Sequence, residues 1–203
     1  MDDGSSGQGW AGELERWLEP FLARLRRKAQ RRWAPVYLKG LLLPGERKSV
    51  APMAARVAPG DTQQLHHFVS TSPWATAPLE DELVKAADRL VGGPDAVLVV
   101  DDTALVKQGR CSVGVKRQYC GQLGKKANCQ ALVSLTLARN EVPLPLALRL
   151  FLPEAWIDDP ARCDQAGVPE TVQYRPKWAI ALEEIDGRAR CSVERFCLPG
   201  QES

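Results

Sequence analysis

Two adjacent carboxylates, Asp101 and Asp102, are the residues of this sequence whose types and spacing are best suited to chemistry. They close an apolar run at residues 96–100, and no further acid occurs in residues 103–139. The same segment contains seven bases, which are Lys107, Arg110, Lys116, Arg117, Lys125, Lys126 and Arg139. Carboxylate oxygens are ligands that Mg²⁺ prefers, and clustered cations bind a phosphate backbone. The pattern predicts a metal-dependent enzyme that acts on a polyanion; a plain strand with a solvated tip is the alternative.

Phosphodiester hydrolysis or transfer would explain why such carboxylates come from a strand. In a two-metal site, the ions activate the attacking oxygen and stabilise the leaving oxygen of an in-line displacement. These ions need several clustered oxygen ligands. A buried strand holds the first ligand rigidly, and later elements must supply the others. A single carboxylate would hold a divalent ion poorly, so the positions of the remaining acids decide whether this chemistry is possible.

The strand is preceded by a region that the sequence predicts to be helical, over residues 10–93. Apolar residues at three- and four-residue steps form one stripe from Leu14 to Leu25, and Pro20 is expected to kink or split this helix. Ser49 and Asp61 are the expected caps of two of the further helices, which are predicted at residues 35–43, 50–57, 62–69 and 79–91.

The helical region is also a candidate surface for nucleic acid. Residues 20–60 contain ten bases and one acid, which is the electrostatic pattern of a DNA-binding surface, although a solvated helical face is the more common explanation. Arg47 and Lys48 lie in a tight turn between two of the short helices. That arrangement resembles a helix-turn-helix, while a plain helical hairpin is the more common alternative.

The second half of the chain changes to the period of strands. Residues 95–102 form a near-continuous apolar run, which predicts a strand buried on both faces. Residues 130–138 and 142–152 predict a hairpin, whereas residues 111–119 fit either a strand or an extended insertion. A helix is expected at residues 177–185. This order, with acids at the end of a central first strand, predicts the opening half of an RNase H-like fold.

Composition excludes several other classes of protein. The six cysteines contain no C-x-x-C pair, so the spacing suits neither a zinc ribbon nor a disulfide framework. The first ten residues are polar and acidic, unlike a signal peptide, and every apolar run is far shorter than the roughly 18 residues of a membrane span. We therefore expect a reduced, soluble, cytoplasmic protein without a membrane partner.

Several long phrases carry a more specific signal. They are YLKGLLLPGERKSVAPMAARVAPGD (37–61), LHHFVSTSPW (65–74), VLVVDDTALVKQG (97–109), SVGVKRQYCGQLGKKANCQALVSLTLA (112–138) and LRLFLPEAW (148–156). In these phrases and in their order, the chain resembles the DDE-superfamily transposases of bacterial insertion sequences. The resemblance extends over residues 34–186 and is more specific than any single short motif.

The resemblance implies a fold, a cofactor and a partner. The fold is an N-terminal helical region followed by an RNase H-like catalytic domain, which mixes helices with a sheet. The cofactor is Mg²⁺ or Mn²⁺, and the partners are DNA, at terminal inverted repeats and at a target, and a second copy of the chain in a homo-oligomer. The first acid of the catalytic triad, and a metal ligand, would be Asp101 or Asp102. The resemblance favours Asp101, because in related transposases the acid commonly stands two residues before a Thr or Ser, as Asp101 stands before Thr103.

The basic residues acquire a role from the same resemblance. As partners of a DNA backbone we expect a set of eight cations, namely Arg47, Lys48, Lys107, Arg110, Lys116, Arg117, Lys125 and Lys126.

The sequence departs from the family pattern after the helix at residues 177–185. The pattern would continue into a strand ending in a second catalytic Asp and later into a catalytic Glu, and Asp158, Asp159 and Glu183 do not match those positions. The expected organisation is therefore residues 1–9 disordered, 10–93 helical, 94–186 an incomplete RNase H-like domain with three strands and a helix, and 187–203 an aberrant tail. We expect a truncated or frameshifted transposase that is inactive alone; a non-catalytic DNA-binding module or inhibitor, or a relic without function, are the alternatives.

Overall fold

The structure is a computed structural model that describes residues 6–191. The chain divides into two compact units, Met1–Glu82 and Leu83–Ser203. No helix within the described range is long and apolar enough to cross a membrane.

The first unit is built from helices. These are α1 (Ser6–Arg24), α2 (Lys28–Leu42), α3 (Val50–Val57), α4 (Thr62–Ser70) and the beginning of α5 (Ala77–Val91), which continues into the second unit. Their core contains Trp33, Ala54, Leu65 and Phe68. A Cβ at Gly40 of α2 would lie 2.3 Å from the Met53 side chain of α3, so these two helices pack closely because position 40 has no side chain.

Capping by Ser49 and Asp61 was predicted wrongly, and of the kink or split expected at Pro20 the split is absent. α1 continues through Pro20 as one helix instead of splitting there. α3 and α4 begin directly after Ser49 and Asp61, as predicted, yet neither side chain makes a capping hydrogen bond. The starts of α3 and α4 were therefore predicted correctly, but the side-chain capping hydrogen bonds that were expected to set them are absent.

The second unit contains an antiparallel four-stranded sheet. Its elements are β1 (Val97–Val106), β2 (Lys116–Cys120), a single 3-10 turn (Gly121–Leu123), β3 (Lys125–Arg139), β4 (Val142–Phe151) and the helices α6 (Glu154–Ile157), α7 (Pro160–Gln165) and α8 (Lys177–Cys191). The predicted fold class is confirmed: a helical region precedes an antiparallel sheet that is compatible with an incomplete RNase H-like fold.

The long strand β3 is the centre of this sheet. It pairs with β1 through residues 129–138, with β4 through residues 131–139 and with β2 through residues 125–129. The predicted hairpin joins β3 to β4 at Asn140 and Glu141, which both have positive φ, of 50° and 64°, as a type I′ turn requires. Residues 111–119 were expected to be either a strand or an extended insertion. The structure shows a short strand, β2, preceded by a loop.

One face of the sheet is covered by helices. Val133 of β3 packs against Ile180 and Ala181 of α8, and Leu137 of β3 packs against Ala87 and Val91 of α5. Because side chains alternate along a strand, every second residue of β3 from Cys129 to Leu137 is buried on this side.

The prediction of a central first strand buried on both faces was wrong. Within the described residues, β1 pairs only with β3 and so lies at an edge of the sheet. Val97, Val99, Val100 and Leu105 are all exposed. An apolar run indicates that a strand tolerates burial on both sides, but it does not say which neighbours are present to bury it.

The end of α8 departs from the expected organisation. The helix continues to Cys191, whereas the sequence predicted the end of regular structure at Asp186. The remainder of the expected aberrant tail, and most of the N-terminal segment expected to be disordered, lie outside the described residues.

Candidate active site

The two candidate carboxylates lie in the middle of β1, not at its end as the sequence predicted. Asp101 pairs with Ser134, and Asp102 pairs with Val133. The strand continues beyond them because the ladder with β3 extends as far as Val106, opposite Cys129. Side chains alternate along a strand, so the two carboxylates point to opposite faces of the sheet.

Asp102 lies on the face that α8 covers. Its Oδ2 atom accepts a hydrogen bond from Lys177 Nζ at 2.6 Å, and the Asp102 side chain is 52% exposed. Lys177 is the first residue of α8, and its ammonium also lies 5.3 Å from the centre of the Phe151 ring. Lys177 is thus a cation paired with the Asp102 carboxylate.

Asp101 lies on the opposite face of the sheet and has different partners. Its Oδ1 atom accepts the backbone N–H of Asp102 at 2.7 Å, and its backbone carbonyl accepts the Ser134 hydroxyl at 3.0 Å. No cation among the described side chains pairs with its carboxylate. Asp101 is therefore the carboxylate whose charge is open to a ligand.

The described residues do not form a complete metal site. Within residues 6–191 no group of three or more His, Cys, Asp or Glu side chains could hold a metal ion. Asp101 and Asp102 cannot share an ion as a close pair because they diverge across the strand. This donor set does not fit a two-metal centre, which needs several convergent oxygen ligands.

The structure brings four of the predicted DNA-contacting residues together at one end of the sheet. We call residues 116–126, which comprise β2, the turn and the first residues of β3, the basic hairpin. Its four cations, Lys116, Arg117, Lys125 and Lys126, are all exposed. None of them forms an ion pair with any side chain in the described part of the chain. Their charge is therefore available to a polyanion.

Lys107 and Arg110 lie on the loop before the basic hairpin. This loop is tied to β3 because Asn128 donates from Nδ2 to the carbonyl of Gly109 at 2.6 Å and accepts the Lys107 N–H through its own carbonyl at 2.9 Å. Arg162 of α7 donates to the carbonyl of Arg110 at 2.9 Å. The two predicted cations are thus held near the hairpin by backbone contacts.

Arg47 and Lys48 belong to the first unit, between α2 and α3. Lys48 donates to the backbone carbonyl of Leu43 at the end of α2. This contact gives Lys48 a structural role in the turn, next to its predicted role in binding DNA.

Sequence reasoning missed two residues of this region. Lys177 gave no signal, because a lysine at the start of a helix does not reveal which distant carboxylate it will contact. Tyr119 is 67% exposed on the basic hairpin, and its position two residues after Arg117 could have drawn attention to it.

None of the four cysteines whose side chains the structure describes takes part in the candidate site. Cys111, Cys120, Cys129 and Cys163 are free thiols, and Cys120 and Cys129 are buried. The pKa of the Cys129 thiol is raised above its ordinary value of 9.0, mainly by burial and to a smaller extent by the electrostatic effect of the neighbouring Cys120. A buried neutral thiol behaves as a small apolar side chain, which is consistent with its place under the sheet.

Comparison with known proteins places this geometry in context. The DDE superfamily endonuclease family matches residues 20–195. A protein of Microchaete diplosiphon named "Probable transposase for insertion sequence element IS701" is 32% identical over 108 residues, which cover 53% of this chain and 28% of that relative. The chain thus matches little more than a quarter of the relative's length. No solved structure matches the chain.

Members of the matched family generally use divalent metal ions and act on DNA. The edge position of β1 and the single open carboxylate leave such a site incomplete within the described residues.

Proposed function

Because the chain belongs to the DDE superfamily endonuclease family, we propose that it is a transposase-type protein of an insertion sequence that binds DNA through the second unit. The observation that carries the proposal is the combination of open Asp101 and the unpaired cations of the basic hairpin on one sheet. The cationic surface suits the phosphate backbone, and a carboxylate without a counter-cation is free to bind a divalent ion.

We further propose that Asp101, rather than Asp102, is the first carboxylate of the family's acidic site. Asp102 is held by Lys177 at 2.6 Å, whereas among the described residues the Asp101 carboxylate accepts only the backbone N–H of Asp102. A ligand to Mg²⁺ or Mn²⁺ must be free to bind the ion, and Asp101 meets that condition. Within residues 6–191 the acidic site is incomplete, because one carboxylate cannot hold two ions, and we therefore expect the chain to be inactive alone.

The experiment is to incubate the purified chain with DNA carrying the element's terminal inverted repeats, in Mn²⁺, and to measure both nicking and binding. We expect binding without nicking. The variants Asp101→Asn and Asp102→Asn test the carboxylates, and Asp95→Asn, an exposed acid just before β1, is the matched control. Nicking that is lost in Asp101→Asn but kept in Asp95→Asn would refute the proposed inactivity.

The basic hairpin provides a separate test of DNA binding. Changing Lys125 and Lys126 to Ala should weaken binding to all DNA sequences alike and reduce the slope of log affinity against log salt by about two. Absence of binding even at low salt, where phosphate contacts are strongest, would refute the proposed function.

A non-catalytic role is the second candidate. The basic hairpin is complete, whereas the carboxylate site is not, so the chain could occupy transposon ends or join mixed oligomers with an intact enzyme and thereby inhibit it. Adding the chain to an active transposase of the same element should then lower its activity in proportion to the concentration added. Unchanged activity at saturating concentrations would exclude this role.

A further inference from the structure

We propose that Tyr119 of the basic hairpin stacks on an unpaired base of DNA, so that this hairpin recognises a position where the duplex is open. The inference rests on the proposed DNA binding of this chain. It names Tyr119 as a contact residue and an unpaired base as the part of the DNA that it binds.

The register of the basic hairpin places the ring between cations. Tyr119 pairs with Lys126, and Arg117 pairs with Asn128. Because alternate residues share a face of a strand, Arg117, Tyr119 and Lys126 all lie on the same face of the hairpin. A phosphate on either side of a base bound at Tyr119 would therefore meet a positive charge.

The phenol ring has no structural partner within the described part of the chain. It is 67% exposed, no aromatic ring there packs against it, and its hydroxyl makes no hydrogen bond there. Tyr174 offers a contrast, because its ring packs at 6.3 Å from that of Phe151. Single exposed aromatic side chains are common on protein surfaces, so the feature that distinguishes Tyr119 is the pair of cations on its face, which suits a ring that stacks on a nucleic-acid base.

Contacts within the second unit hold the hairpin that carries Tyr119. Gln118 donates to the carbonyl of Cys129 at 3.1 Å, Cys120 and Cys129 are buried beneath the hairpin, and Gly124 closes the turn at a φ of 61° that glycine readily adopts. A platform that is already rigid loses little conformational entropy on binding. The ring can therefore contribute most of its stacking free energy to affinity.

Stacking on one protein ring requires a base that has left its own stack. In an intact duplex both faces of each base are covered, whereas an unpaired base offers a free face to an aromatic side chain. Cations alone would bind duplex and open DNA nearly alike. The aromatic ring between them makes the surface selective for a junction or an overhang.

The sheet also relates this surface to the open carboxylate. Lys126, beside Tyr119, and Ser134, opposite Asp101, are separated by eight residues along β3 and lie on the same face. At about 3.3 Å per residue this separation is about 26 Å, which corresponds to roughly eight nucleotides at about 3.4 Å per nucleotide. An unpaired base held at Tyr119 would place the backbone near Asp101 about eight nucleotides away.

The test is fluorescence anisotropy of the full chain, in EDTA, with three DNAs. These are a blunt duplex, the same duplex with an unpaired overhang, and that overhang with abasic sites. The variants are Tyr119→Ala and Tyr119→Phe, with Leu123→Ala, an exposed apolar residue of the same hairpin, as the matched control. Melting curves establish that each variant is folded, which the exposure of these positions leads us to expect.

We expect Tyr119→Ala to weaken binding to the overhang by about 5- to 150-fold, the equivalent of one stacked base, and to leave binding to the blunt duplex within about twofold. Tyr119→Phe and Leu123→Ala should bind like the natural sequence, and abasic sites should remove the difference between the natural chain and Tyr119→Ala.

Equal losses on duplex and overhang, no loss on either, or a Tyr119→Phe variant as weak as Tyr119→Ala would each overturn the stacking proposal while leaving DNA binding intact. Absence of binding to all three DNAs at low salt would instead refute the proposed function, and the stacking proposal with it.

Discussion

Trp156 is the residue whose replacement tests most directly how the basic hairpin is held in place. It is 1% exposed in α6, and its Nε1 atom donates to the backbone carbonyl of Val115 at 2.9 Å. Val115 immediately precedes β2 and is itself buried. The guanidinium carbon of Arg162 lies 3.8 Å from the centre of the Trp156 ring. Trp156 therefore attaches the start of the hairpin to the segment that follows β4.

The contacts give the magnitude of the expected loss. Trp156→Phe removes one buried hydrogen bond, worth about 1 kcal/mol, and some packing volume. The Val115 carbonyl keeps a weak contact with Arg162 at 3.5 Å, so it is not left without a donor. We expect a loss of about 1–2 kcal/mol in unfolding free energy for Trp156→Phe and about 3–5 kcal/mol for Trp156→Ala.

Urea unfolding followed by circular dichroism measures these losses. The matched control is Trp178→Phe, because Trp178 is 68% exposed on α8 and its replacement should cost less than about 0.5 kcal/mol. Hydrogen exchange adds a local readout, since amides of β2 should lose protection in Trp156→Phe before the rest of the sheet does. If Trp156→Phe and Trp178→Phe have the same stability and the same exchange pattern, the hairpin is not held in this way.

Three further predictions concern single positions. Gly114→Ala should lower the free energy of unfolding by about 1–3 kcal/mol, because φ is +76° there and a Cβ would lie 2.9 Å from the Phe151 carbonyl oxygen. The control Gly109→Ala, whose Cβ would meet nothing within 4 Å, should be nearly neutral in the same urea assay. Lys177→Met should cost at most about 1 kcal/mol, since both members of its ion pair are at least a third exposed, and the cost should vanish in about 1 M salt. Burial raises the pKa of the Cys129 thiol in the folded chain. The buried neutral thiol therefore contributes its full stabilisation below the pKa that the thiol has in the unfolded chain, and this stabilisation is lost as pH rises through the higher pKa of the folded chain. Stability measured by thermal melting should therefore fall above about pH 9, and Cys129→Ala should reduce that fall.

Local signals in the sequence predicted the elements well. The helix α3 begins and ends where its prediction placed it, and α4 and α5 differ from theirs by one or two residues. The β3–β4 hairpin was found because Asn140 and Glu141 separate two apolar strands, and these two residues adopt the conformation that such a turn needs. These features depend on neighbours within a few residues, which a sequence displays directly.

The features that depend on distant residues were not predictable in the same way. The ion pair between Asp102 and Lys177 joins residues 75 positions apart, and nothing in the letters around either residue names the other. The opposite orientation of Asp101 and Asp102 follows from strand alternation, but the choice between them depends on which face α8 covers. That choice becomes clear only once Val133, Ile180 and Ala181 are seen to pack together.

β1 was predicted to be buried on both faces but is exposed, and the carboxylate site on it is incomplete. Both findings reflect the lack of a further neighbour for β1 among the described residues. β1 has a free row of N–H and C=O groups at its edge, and on the face that carries Asp101 its apolar side chain Val99 is in contact with water. A carboxylate on that strand likewise has protein ligands available from one side only. Asp101 can receive further oxygen ligands only from its open face, and any neighbour that supplied them there would also cover Val99, which lies on the same face of β1. The apolar composition of β1 and the open Asp101 carboxylate therefore call for the same kind of neighbour.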